Sequence, residues 1–265
     1  MAILNKTSTI KVSTLHHGDP DIKELAKLYP IIPASKSGRD WWKNLERTYT
    51  RGRQISPDKT VQDEWPTFKF CVGMYDFTNC GYMVQWIHDI EFYVDKVGDI
   101  TWHLPGMIPL DWVEVHGKEQ TGSCPVQHGD GGNSILKINT PFIIETPKNW
   151  SILFCKPFYS YNNDFDICSG ILDSDQKAFS CHHVKSFLRF NVRDKIISFK
   201  AGDPMCQLIP FKRIKTKLEY LDEPSKEIQE QELYRRIMSQ SQFGNSNDDP
   251  LLKFRDQSFW TKGYK

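Results

Sequence analysis

The chain has 265 residues, with 33 acidic against 34 basic side chains and a formal charge of +1. No global field therefore draws it to nucleic acid or to a lipid surface. There is no run of eighteen apolar residues for a membrane helix, and Met-Ala-Ile-Leu-Asn-Lys lacks the basic start and apolar stretch of a secretory signal. The length suffices for a real core without disulfide staples. Aromatic residues make up 13% of the chain, with eight Trp and sixteen Phe, which suits β packing around large buried anchors.

Residues 1–18 read as a strand-forming entry segment, with Lys11-Val-Ser-Thr-Leu weakly alternating. Asp19 as N-cap and Pro20 at the first helical position open a helix whose Ile22, Leu25 and Leu28 share a face. Pro30 ends it, because the residue before a proline is pushed out of the α region. A loop then carries Trp41 and Trp42, which are expected to seal one side of the β unit. Residues 46–63 are polar and basic and read as a surface loop.

From Trp65 the pattern turns to β. Thr67-Phe-Lys-Phe-Cys-Val alternates at period two, and Gly81–Ile87, Ile90–Asp95 and Ile100–Leu104 follow as strands. Asp95-Lys-Val-Gly98-Asp reads as the hairpin turn between the last two. Gly and Pro punctuate 105–109 and 117–134, and strands resume at Ser134 and run to about Phe211. The spacing of turn signals favours a sandwich or barrel. After Arg213 a helix is expected from Asp222-Glu-Pro-Ser, with Gly244 as its C-cap, followed by an aromatic tail.

The expected fold is mainly β. It is a jelly-roll or β-clip-like double sheet over 65–215, with an N-terminal capping segment over 1–64 and a C-terminal helix and tail over 216–265. The seven cysteines include no C-x-x-C pair, and several lie in apolar strands, so they read as reduced buried thiols.

Three constellations carry possible chemistry. The corner S-G-I-L-D-S-D (169–175) and the strand A-G-D-P-M-C-Q-L-I (201–209) together resemble the dUTPase and dCTP-deaminase superfamily, a β-clip fold. The resemblance implies that Asp173 activates the attacking water, and that Gly202, Asp203 and Gln207 belong to the closing core strand. The chain departs from that family where an Arg-Ser-Gly phosphate motif should precede Gly170. It also has Gln176 in place of a tyrosine and no Gly-rich closing arm. A degenerate, dUTPase-like nucleotide-binding protein is one expectation.

His128-Gly-Asp130, His183 and the downstream Arg193 form the second set. Two histidines and a carboxylate are the ligand set of non-haem iron, and an arginine can pair with a co-substrate carboxylate. The order is similar to that of the 2-oxoglutarate-dependent oxygenases. That likeness implies Fe(II) on His128, Asp130 and His183, with 2-oxoglutarate on Arg193. The triplet recurs as His17-Gly-Asp19, so its specificity is low.

The third is a set of segments: 33–45, 68–82, 141–154 and the closing W-T-K-G-Y-K. Together they resemble an uncharacterised protein family of tailed bacteriophages and scattered bacteria. The chain departs from it at Val72, Phe142, Asp203 and Cys181-His-His-Val. The resemblance implies a phage setting and transfers no activity. The basic residues Arg47, Arg51, Arg53, Lys212, Arg213, Lys215 and Lys217 are scattered in a charge-balanced chain, which disfavours nucleic acid as a partner.

The sequence therefore leads to a non-enzymatic phage-type protein, a virion component or a protein-interaction module, without a cofactor. It is expected in the host cytoplasm or the virion, with a protein partner or a second copy of itself and no membrane. The oxygenase and the nucleotide-binding protein are the alternatives.

Overall fold

The computed structural model describes residues 8–15, 20–37, 40–104, 112–117, 120, 135–160, 162–176 and 183–241. The chain divides into two compact units, Met1–Ile214 and Lys215–Lys265.

The first unit is built of antiparallel strands, and the expected mainly β class holds. One sheet centres on β9 (Ile135–Glu145). Its order is β1 (Lys11–Thr14), β9, β13 (His183–Phe190) and β11 (Phe165–Ile167), with β8 (Val113–His116) also paired to β9. A second sheet runs β12 (Gly170–Leu172), β10 (Trp150–Cys155), β15 (Pro204–Lys212), β5 (Tyr82–Gln85) and β2 (Ile32–Pro33). A third joins β14 (Lys195–Phe199), β6 (Ile90–Val94) and β7 (Ile100–His103). The N-terminal segment does more than cap this unit, since β1 and β2 each extend a sheet.

All three sheets contribute to one apolar core. β6 shows the cause most simply. Ile90, Phe92 and Val94 are buried while Glu91 and Tyr93 point outward, the alternation of a strand with one wet face. Trp86 and Phe199 stack at 4.6 Å, and Phe165 meets Phe199 edge-on at 5.0 Å. Such aromatic pairs add to what area burial alone provides.

Glycine is required at two turns. Gly81 has φ +73°, and a Cβ there would fall 2.0 Å from the Leu208 carbonyl oxygen of the neighbouring strand. Gly98, φ +98°, closes the β6–β7 hairpin, where the Asp95 carboxylate accepts the backbone N–H groups of Val97, Gly98 and Asp99.

Three readings of the sequence are corrected. Residues 46–63 are mostly not a loop. They form a long hairpin, β3 (Thr48–Ser56) and β4 (Lys59–Pro66), turned at Pro57-Asp58. Thr67–Val72 is not a strand. Thr67 Oγ1 accepts the Lys69 N–H and starts a short 3-10 turn over Phe68–Phe70, and α3 (Val72–Asn79) follows. The C-terminal helix, α4 here, begins at Lys226 rather than at Pro224, with Ser225 Oγ accepting the Ile228 N–H, and it runs to Ser241. Its expected cap, Gly244, lies outside the described residues. The remaining helices are α1 (Pro20–Leu28), where the sequence placed it, and α2 (Asp40–Asn44). Among the described residues no helix is long and apolar enough to cross a membrane.

Candidate functional site

The aspartate corner folds into an ion-paired clamp. Asp173 follows β12, and its Oδ1 accepts the Ser151 hydroxyl at 2.5 Å and Arg213 Nη1 at 2.8 Å. Asp175 Oδ2 accepts Arg213 Nη2 at 2.5 Å and the Asn149 N–H at 2.7 Å. Between them Ser174 is fully buried, with its hydroxyl 2.8 Å from Thr146 Oγ1. The Ser151 hydroxyl, then Arg213, hold the Asp173 carboxyl below the usual carboxylate range. Arg213, then the Asn149 N–H, do the same for Asp175. Three segments far apart in sequence meet here. A general base must reach a water with a free lone pair and bind its proton near the working pH. Asp173 is instead tied to a cation and held in its charged form, an arrangement suited to fastening a corner.

Of the other sequence candidates, His128 and Asp130 lie outside the described residues. His183 opens β13 opposite Ile143. Arg193 lies over the β6–β7 turn, where a Cβ on Gly98 would sit 2.0 Å from its Nη1. Among the described residues no group of three His, Cys, Asp or Glu side chains is placed to hold a metal. Five described cysteines are free, and burial pushes the thiols of Cys155 and Cys206 up to about 11 and about 12. Cys71 is exposed, unlike the buried thiols expected.

Elsewhere the described residues enclose a cleft of about 230 Å³. Trp41, Phe158 and Tyr159 form its aromatic rim, and Gln207, Met83 and Phe199 lie deeper in it. Asp203 is the one carboxylate among its described lining residues, and no lysine or arginine is among them. A volume of this size is smaller than a drug-sized pocket and suits one ring or one side chain.

Each wall is fixed by the fold. On α2 the buried Trp42 anchors the helix and leaves Trp41 half-buried beside it, with the rings 5.6 Å apart and edge-on. Lys69 Nζ donates to the Lys43 carbonyl at the end of that helix and to the Leu45 carbonyl just beyond it. Phe158 and Tyr159 occupy a turn closed by Ser160 N–H to the Pro157 carbonyl. Gln207, 1% exposed, holds this turn from below: its Oε1 accepts the Phe158 N–H at 3.1 Å, and its Nε2 donates to the Cys80 carbonyl at 2.6 Å. Phe77 on α3 stacks on Phe158 at 3.6 Å.

Tyr159 has φ +55°, a left-handed conformation that bulky side chains rarely adopt. Its hydroxyl donates to Met74 Sδ, and its ring meets Trp41 at 5.8 Å with 61° between the planes. On the other side, Gln85 Nε2 donates to the Gly202 carbonyl, and the Trp86 N–H to the Asp203 carbonyl, so the 200–203 turn is pinned to the end of β5. Asp203 Oδ2 accepts the Lys200 N–H. Sequence reasoning noted Trp41, Asp203 and Gln207 but missed Phe158 and Tyr159. The available signal was F-Y-S-Y-N-N-D (158–164), an aromatic and polar run between strands.

No protein-family model matches the chain, and no curated protein matches it. Among the solved structures weakly similar to the chain are two phage dUTPases. A mutant dUTPase from phage phi11 of S. aureus is 11% identical, over 67% of this chain and 99% of that one, with a TM-score of 0.31. A mutant dUTPase of Staphylococcus bacteriophage 80alpha is 9% identical, over 83% and 92%, with a TM-score of 0.30. Likeness at this level leaves function to the chemistry of the site.

Proposed function

We propose that this chain is a non-enzymatic protein-binding module whose aromatic cleft receives a single side chain of its partner. The observation that carries the reading is the pairing of an aromatic rim (Trp41, Phe158, Tyr159) with a cleft of about 230 Å³, room for one such group. Trp, Tyr and Arg dominate the energetics of protein interfaces because large rigid surfaces exclude water at low entropic cost. The surroundings extend the surface: Tyr75, against Trp42, and Phe77, stacked on Phe158, are 46% and 45% exposed. Clustered exposed aromatics of this kind mark binding faces more often than chance decoration. A phage particle or an infected cell is the setting we infer, and that part rests on the sequence resemblance alone.

A nucleotide is a poorer fit. Its phosphates call for arginine, lysine or a row of backbone N–H groups, and the described lining offers Asp203 instead. The oxygenase reading has Arg193 engaged at the Gly98 turn.

The test is a titration of the full chain with capped single amino-acid amides and with deoxyuridine and dUTP, followed through tryptophan fluorescence and NMR. The reading expects saturable binding of at least one amide class, lost in Trp41→Ala, and no response to dUTP. Binding of dUTP without any amide would replace it with the nucleotide reading.

A further inference from the structure

We propose that the side chain this cleft takes is an arginine of the partner. The inference deepens the protein-binding reading and rests on it.

The electrostatics of the lining select the charge. Among its described lining residues the only one with a formal charge is Asp203, which shares the cleft with the rings of Trp41, Phe158 and Tyr159. Aromatic faces carry the negative end of a quadrupole and attract cations, most strongly when water is displaced. An anion would meet repulsion from both the carboxylate and the rings. A neutral ring would leave the carboxylate to be covered without a partner, at a cost in desolvation.

The molecule already uses this chemistry at the edge of the same cleft. Lys156 Nζ lies 5.2 Å from the centre of the Phe165 ring, and Phe165 is itself a lining residue. Lys156 is not available to neutralise Asp203, because it donates to the Phe165 carbonyl and to Asp166. Lys200, at the other end of the turn from Asp203, has its ammonium on Asp89 at 2.9 Å. Among the described residues the Asp203 carboxylate accepts from the Lys200 N–H at 2.8 Å, while a carboxylate can accept about four donors.

Shape separates guanidinium from ammonium. The cleft is a corner, not a round cage: the Trp41 and Tyr159 planes meet at 61°, and Phe158 is backed by Phe77 in a parallel stack at 3.6 Å. A planar guanidinium can lie flat on one such face and still direct N–H groups in its plane to a carboxylate, in a fork that an ammonium cannot reproduce. The aliphatic stem of the arginine would then run along Met83 and Pro157, which also line the cleft.

The experiment compares N-acetyl-arginine amide, N-acetyl-citrulline amide and N-acetyl-lysine amide as ligands of the full chain, by NMR titration. Citrulline has nearly the shape of arginine without the charge. Arginine amide is expected to bind at least about tenfold more tightly than citrulline amide, from a cation–π contact plus an ion pair. Asp203→Asn, which keeps an acceptor for the Lys200 N–H, should weaken arginine amide about fivefold and leave citrulline amide unchanged. Equal binding of arginine and citrulline would overturn the charge assignment while the protein-binding reading stands. Lysine binding as tightly as arginine would overturn the guanidinium assignment in the same way. Binding of no amide at all would overturn the protein-binding reading itself. The citrulline comparison needs no variant, so it decides the question even where Asp203→Asn fails to fold.

Discussion

Gln207 accepts a hydrogen bond from the Phe158 N–H at 3.1 Å, so a buried amide on a central strand holds the outer wall of the cleft. Its other end donates to the Cys80 carbonyl at 2.6 Å, just after α3, the helix that carries Phe77. One side chain thus couples the sheet to both the turn and the helix that shape the rim. Gln207→Leu keeps the volume but strands two polar groups, each costing about 1–3 kcal/mol when left unsatisfied. The expected loss is about 2–4 kcal/mol in urea denaturation, with weaker amide binding at 25 °C in the fraction that remains folded. A loss below about 1 kcal/mol, the scale of an ordinary surface change, would mean that other contacts hold the turn.

The Arg213 clamp predicts acid sensitivity. Asp173 and Asp175 have carboxyls held below their ordinary range in the folded chain, by Ser151 and Arg213 and by Arg213 and Asn149 respectively. The unfolded chain therefore binds these protons first as pH falls. Their contribution is complete above the ordinary Asp value of about 3.9 and is lost as pH drops through the folded values. Arg213→Met should flatten the fall in urea midpoint between about pH 5 and 2. An unchanged acid limb in that variant would show that the corner is held by the Ser151 and Asn149 bonds alone.

His88 acts in a different window. Its Nε2 is buried without a partner among the described residues, its ring meets Trp112 at 4.8 Å, and burial lowers its pKa. The unfolded chain takes up this proton near the ordinary value of about 6.5, and the folded chain only at lower pH. Stability then rises with pH across this window and declines between about pH 7 and 5 on acidification. His88→Phe keeps a ring against Trp112 and removes the titration. Its denaturation midpoint should be flatter than the parent's over that range, and identical slopes would mean that the imidazole is hydrated in the folded state.

How much of this was readable in advance depends on whether the cause was local. Ile90–Val94 was legible because each side chain's fate follows from its parity along the strand. The β3–β4 hairpin was hidden because polarity dominated the reading. Its strands are largely exposed and lack an apolar face, although Tyr49 opposite Trp65 and Arg53 opposite Val61 were β pairs in waiting. Thr67–Val72 alternated like a strand, but the Thr67 side chain turned the backbone with one hydrogen bond. Asp173 and Gln207 stood out as residues in a motif, yet their roles depend on Arg213, Cys80 and Phe158, which lie far away along the chain. Nothing in the letter Y announces that Tyr159 has a positive φ.

That strained tyrosine gives the sharpest separation of binding from stability. A non-glycine residue in the left-handed region costs of order 1 kcal/mol, and such strain persists where a side chain is needed in one place. Asparagine tolerates this conformation far better than tyrosine does. Tyr159→Asn would relieve the backbone while losing the ring contacts to Trp41 and Phe77 and the hydroxyl bond to Met74. Tyr159 is 45% exposed, so those contacts are half-wet and their loss is modest. The two effects should nearly cancel, leaving stability within about 1 kcal/mol of the parent. Amide binding in the cleft should fall at least about fivefold, since an aromatic face at an exposed site contributes about 1 kcal/mol to holding a cation. Denaturation and titration on the same preparation separate the two. A stability loss above about 2 kcal/mol with unchanged binding would identify the ring as packing and place the ligand surface elsewhere.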